Sequence, residues 1–167
     1  MKLRKDLKIN GKLVKKGETI PWWYIYPFFC IHMLVFAGSG FLLAYTGDGP
    51  GRALPFLYIH GGGAIVIYLI FYLAIFGRDQ VMWMFVNAAI GGLATYTQID
   101  WILSLFGKQA QDYSYAVHAI PFLYFVLYTF LLRQAVLDIT GALDNKIKEG
   151  VVSWAYAVIS IVFYLTF

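Results

Sequence analysis

Long apolar runs alternate with short polar stretches along this chain. The runs cover residues 22–45, 54–76, 81–106, 115–137 and 151–167. About 20 apolar residues carry a helix across a bilayer core of roughly 30 Å, so most of these runs are long enough to span and the last sits at the short end of the range. The breaks between them are rich in glycine, proline and charge: Thr46-Gly47-Asp48-Gly49-Pro50-Gly51-Arg52, Gly77-Arg78-Asp79-Gln80, residues 107–114 and residues 138–150. The pattern predicts an all-α integral membrane protein, a bundle of four to five transmembrane helices over residues 21–167, behind a polar basic segment at residues 1–20. The third run ends near Gln98 or continues to Phe106 with Asp100 inside it. The fifth either spans or lies in the interface. Within the basic segment, Leu7 to Val14 reads as a small β-hairpin about Asn10-Gly11, whose residues accept the positive φ of a tight hairpin turn. So small a hairpin needs support from the membrane surface or a partner subunit.

Composition sharpens this picture. The chain is 60% hydrophobic and 13% charged, against roughly a quarter charged in soluble domains. The net charge of +4 does not point to nucleic acid, because no recognition module accompanies it. Seven of the 13 basic residues fall within the first 16 positions, as in a cytoplasmic tail beside anionic headgroups. With the N-terminus in the cytoplasm, Arg78, Arg133, Lys146 and Lys148 also lie inside, and only Arg52 and Lys108 lie outside. Five helices then put the C-terminus outside, in a membrane such as the bacterial inner membrane. The expected partners are the lipid bilayer and other membrane subunits or further copies of the chain. Cys30, the single cysteine, is an apolar filler.

Polar side chains inside the apolar runs are costly and need partners or a purpose. His32 falls near the middle of the first run. His60 lies about two turns from the outer end of the second, and His118 about one turn from the outer end of the fourth. These last two share a depth. His60 opens the run His60-Gly61-Gly62-Gly63, where the missing side chains admit a neighbouring helix or a flat ligand. Pro121 frees the carbonyl of Val117 from its helical donor, close to His118. Asn87, Gly91, Thr95 and Gln98 share one helical face, expected to point into the bundle. Asp100 is turned away from them and either joins the outer polar cluster or marks the interface. Arg133 is expected to snorkel to the cytoplasmic headgroups, and the fifth run reads as almost wholly apolar. Phosphate loops, H-E-x-x-H zinc motifs and G-x-S-x-G elbows do not occur in the sequence.

Two helices that each carry one histidine at matching depth, beside glycine, can hold a b-type haem through two axial imidazoles. In this the chain resembles the bundled membrane cytochromes b, the class of the cytochrome b561 and formate dehydrogenase gamma subunits. The resemblance is carried by Gly38-Ser39-Gly40-Phe41-Leu42-Leu43, by His60 with Gly63, and by His118. It implies that His60 and His118 are the metal ligands of one haem b, that Gly61, Gly62 and Gly63 make room for the ring, and that Arg52 pairs with a propionate. His32 is not a clean match, since Tyr26 stands near the place of the family's first-helix histidine. The implied function is a small subunit of a membrane redox complex that binds one haem or a quinone, passes electrons and catalyses nothing alone. Two alternatives stand beside it: a haem-free structural or assembly subunit, and a small transporter or channel.

Overall fold

The apolar runs fold as helices and the glycine-containing breaks end them. The computed structural model describes residues 3, 6–9, 12–46 and 54–166. Two short strands, β1 (Leu7–Ile9) and β2 (Lys12–Val14), come first. Six helices follow: α1 (Trp22–Tyr45), α2 (Leu54–Ile75), the four-residue α3 (Arg78–Val81), α4 (Met84–Ser104), α5 (Tyr115–Ile139) and α6 (Lys146–Thr166). The fold is all-α apart from the hairpin. Among the described residues, α1, α2, α5 and α6 are long and apolar enough to cross a membrane. The third run behaves differently from its neighbours. Only its first residue, Val81, belongs to α3, which takes up the polar stretch Arg78-Asp79-Gln80, and α4 begins at Met84. Helix α4 has 21 residues, yet Asn87, Thr95, Thr97, Gln98 and Asp100 dilute its apolar character.

α5 is the centre of the bundle and packs against α1, α2, α4 and α6. Half of its most apolar stretch (50%) is buried inside the protein, against 11% for α6. Glycine sets two of these crossings. A Cβ on Gly61 would stand 2.7 Å from Cγ2 of Ile120, and one on Gly91 would stand 2.8 Å from the Phe125 ring. The α2 and α4 backbones therefore lie directly on α5, as small residues permit between membrane helices. The expected inward face of α4 is also observed, with Asn87, Gly91 and Thr95 buried.

The hairpin forms in the expected register, with Leu7 opposite Val14 and Ile9 opposite Lys12. Its turn, Asn10-Gly11, lies outside the described residues. Its support comes from the chain itself. Leu3 is buried in the core cluster, Val14 and Ile20 pack against that cluster, and Leu3 exchanges backbone hydrogen bonds with Glu18 and Gly17.

Arg133 departs from the sequence reading. It is 1% exposed and points into the bundle instead of snorkelling. Its Nη1 donates to Oε1 of Gln80 at 3.0 Å, its Nη2 donates to Oγ of Ser153 at 2.7 Å, and its guanidinium lies 4.2 Å from the centre of the Trp83 ring. Gln80 also accepts from Nε2 of Gln134 at 3.0 Å and donates to Glu149. Nearby, Tyr26 donates to the carbonyl of Gln134 at 3.1 Å. This hub ties α1, α3, α5 and α6 together at one end of the bundle. α6 contributes through a polar stripe that its overall apolarity conceals. Ser153 and Tyr156 face α5, and Tyr156 donates to the carbonyl of Thr129 at 2.9 Å.

Candidate functional site

The histidines fall into two regions. His118 lies at the end of the bundle opposite Arg133, inside an enclosure built by local turn chemistry. Gly107, at φ +70°, takes the left-handed conformation that ends α4. The N–H of Lys108 then returns to the carbonyl of Leu103 at 3.0 Å and that of Gly107 to Ser104 at 3.0 Å, the paired bonds of a glycine helix stop. The reversal carries the Lys108 ammonium to the carbonyl of Tyr45 at 2.6 Å, and the Tyr113 hydroxyl donates to the same oxygen at 2.9 Å. A single helical turn at Ala110–Asp112 follows, and the Ala110 N–H donates to Oδ1 of Asp100 at 2.7 Å.

His118 completes this enclosure. Its Nε2 is 3.2 Å from the carbonyl of Ala110, and its Nδ1 is 2.7 Å from the Tyr45 hydroxyl. A carbonyl can only accept, so the network assigns the proton to Nε2 and leaves Nδ1 to accept from Tyr45. The imidazole lies roughly parallel to the Tyr45 ring, with centroids 5.8 Å apart, and meets the edge of Tyr96 at 5.6 Å. Both nitrogens are engaged within the protein.

His60 lies elsewhere. It is exposed on the outer face of α2, in a groove between α1 and α2 of about 610 Å³ that also takes in His32. Helical spacing puts Phe28, His32 and Phe36 one above another on α1, and Phe56 and His60 on α2. Their rings form one column. Successive centroids from Phe28 through His32, Phe36 and His60 to Phe56 are 5.1, 5.4, 5.7 and 5.4 Å apart. Nδ1 of His32 is 3.4 Å from the Tyr68 hydroxyl. His60 has ring contacts only, and no hydrogen bond among the described residues.

The structure thus brings His60 to His32 and leaves His118 apart. The three glycines also divide. Gly61 is filled by α5, whereas a Cβ on Gly62 or Gly63 would meet nothing within 4 Å, and only Gly63 of the two lines the groove. Arg52 lies outside the described residues. Asp100 is part of α4 and acts as the acceptor for Ala110. The freed carbonyl of Val117 is not the acceptor His118 uses. A haem held between His60 and His118 does not fit this arrangement, since one imidazole has both nitrogens bonded and the other opens into a separate groove. Among the described residues, no group of three or more His, Cys, Asp or Glu side chains could hold a metal ion.

Sequence reasoning missed the partnership of Tyr45 with His118, the burial of Arg133 and the polar stripe of α6. Only the last left a usable signal, because Ser153, Tyr156, Ser160 and Tyr164 recur at intervals of three and four. Comparison of the chain with known protein families, characterised proteins and solved structures finds no match.

Proposed function

We propose that the chain is a haem-free structural subunit of a membrane complex, seated in the bilayer by five helices with its N-terminus in the cytoplasm and its C-terminus outside. The observation that carries this reading is the bonding of His118, whose two nitrogens face Tyr45 and Ala110 and offer no lone pair to an iron. The redox role expected from the resemblance to membrane cytochromes b needs that lone pair. The buried polar groups support the same reading. Arg133, Gln80, Gln134, Ser153 and Tyr156 bond one another or the backbone across helices. Such bonds fix helix packing, whereas a transporter or channel requires an open polar passage. The subunit role draws on α6, whose outer face exposes Trp154, Ile159, Val162 and Phe163. In five-helix topology α4 spans with its polar stripe turned inward, and eleven of the 13 basic residues fall on the cytoplasmic side.

The test is the absorption spectrum and native mass of protein purified from haem-replete bacterial membranes in nanodiscs. The expected result is no Soret band and a mass containing a second chain, identical or different. A Soret band that disappears in both His60→Ala and His118→Ala would restore the cytochrome reading. A monomeric mass alone would remove the subunit role.

A further inference from the structure

We propose that the groove between α1 and α2 binds a lipid-soluble quinone through hydrogen bonds from His32 and His60. This rests on the haem-free reading, because an imidazole nitrogen bound to iron has no hydrogen bond to give.

Five observations converge on this ligand class. An imidazole within a membrane helix is costly unless it is bonded, and His60 has no hydrogen-bond partner among the described residues. His32 meets Tyr68 through Nδ1 alone, so its Nε2 is available. Both histidines line one cavity of about 610 Å³, within the roughly 300–1,000 Å³ of small-molecule sites. The cavity wall is the column of five rings, inclined to one another by 8° to 36°, so it presents aromatic edges that a planar ring can meet edge to face. Finally, the groove opens on the outside of the bundle, where Phe56 is 54% and Ile59 77% exposed. Its ligand therefore arrives through the lipid and not through water.

The required molecule carries acceptor oxygens for two imidazoles, a flat ring for the aromatic wall and an apolar tail that remains in the bilayer. A quinone with an isoprenoid chain has all three. A phospholipid has acceptors but no ring, and its phosphate sits at the headgroup level, whereas His32 lies near the middle of its helix. Gly63 lines the groove without a side chain, and its Cβ position is open, so the ring can approach the α2 backbone. Tyr68 is a positioning residue: it holds Nδ1 of His32 and directs Nε2 outward.

The experiment uses the full chain in nanodiscs, a photoreactive short-chain ubiquinone as probe, and unlabelled short-chain ubiquinone as competitor. Competable labelling of α1 and α2 is expected. His32→Phe and His60→Phe keep the ring column and remove the nitrogens. Each should weaken binding roughly fivefold, the loss of one neutral hydrogen bond, and the double variant should weaken it further, with thermal unfolding unchanged in His60→Phe. His60→Gln, which retains a donor, should recover part of the affinity. Unchanged affinity in the double variant, labelling confined to other helices, or a second polypeptide crosslinked through Ile59 would overturn the assignment. Absence of labelling in protein that also lacks a Soret band removes the quinone and leaves the structural subunit standing. A Soret band lost with His60 removes both.

Discussion

The enclosure of His118 and the groove of His60 begin as equivalents. In the sequence each is a lone histidine near one end of an apolar run. In the fold they have opposite character. His118 is buried, and its two nitrogens are matched to a hydroxyl and a carbonyl. His60 is exposed, and its neighbours are the rings of Phe36 and Phe56. Position along a helix fixes depth but says little about which way the residue faces. The facing is decided by contacts, and here Gly61 decides them. Its backbone lies against Ile120 of α5, which turns the adjacent His60 away from α5. The imidazole on α5 is matched internally, and those of the α1–α2 groove are left for an external partner.

Substitutions separate the two regions, beginning with the largest effect. Arg133→Ala deprives Gln80 and Ser153 of a donor and leaves Glu149 without its neighbouring positive charge. Losses of this kind cost about 3–5 kcal/mol. Denaturant unfolding of the purified protein should show it, with Arg133→Lys recovering only part because an ammonium cannot reproduce the fork of bonds. An effect near zero would mean that the hub does not hold the bundle together.

The glycine run provides the next contrast. Gly61→Val drives a side chain into Ile120 and should cost about 1–3 kcal/mol. Gly63→Ala meets open space and should be neutral or stabilise by up to about 1 kcal/mol through helix propensity. Equal losses at both positions, read from paired melting curves, would contradict the close approach of α2 to α5. The histidine pair gives a contrast of similar size. His118→Phe strands the Tyr45 hydroxyl and the Ala110 carbonyl, a loss of about 1–3 kcal/mol. His60→Phe should stay within about 0.5 kcal/mol of the parent, as exposed substitutions usually do.

The helical architecture was legible because long apolar runs separated by Gly, Pro and charged residues leave few alternatives. The same runs concealed how the helices face one another. α6 reads as apolar, yet Ser153 and Tyr156 face the bundle, since a stripe of four small or amphipathic residues hardly changes the mean of 21. Arg133 illustrates the limit. A long basic side chain near a helix end snorkels unless something inside accepts it, and its acceptor, Gln80, lies 53 residues away. The third run looked continuous from Val81, but Val81 closes the short helix Arg78–Val81 and a turn at residues 82–83 delays α4 to Met84. For the candidate site, the sequence named all three histidines and paired His60 with His118 by depth. The partners that separate them, Tyr45 and Ala110 on one side and Phe36 and Phe56 on the other, depend on contacts between distant segments.

The central claim is that His118 is saturated within the protein and shares no ligand with His60. The most direct measurement is the solid-state ¹⁵N spectrum of histidine-labelled protein in lipid, with His118→Phe assigning its signals. The expected result is a protonated Nε2 and a hydrogen-bonded, unprotonated Nδ1 for His118, unchanged in His60→Phe and unchanged when haemin is added. Paramagnetic shifts or loss of both the His60 and His118 signals on adding haemin would contradict the account and make them a common pair of iron ligands.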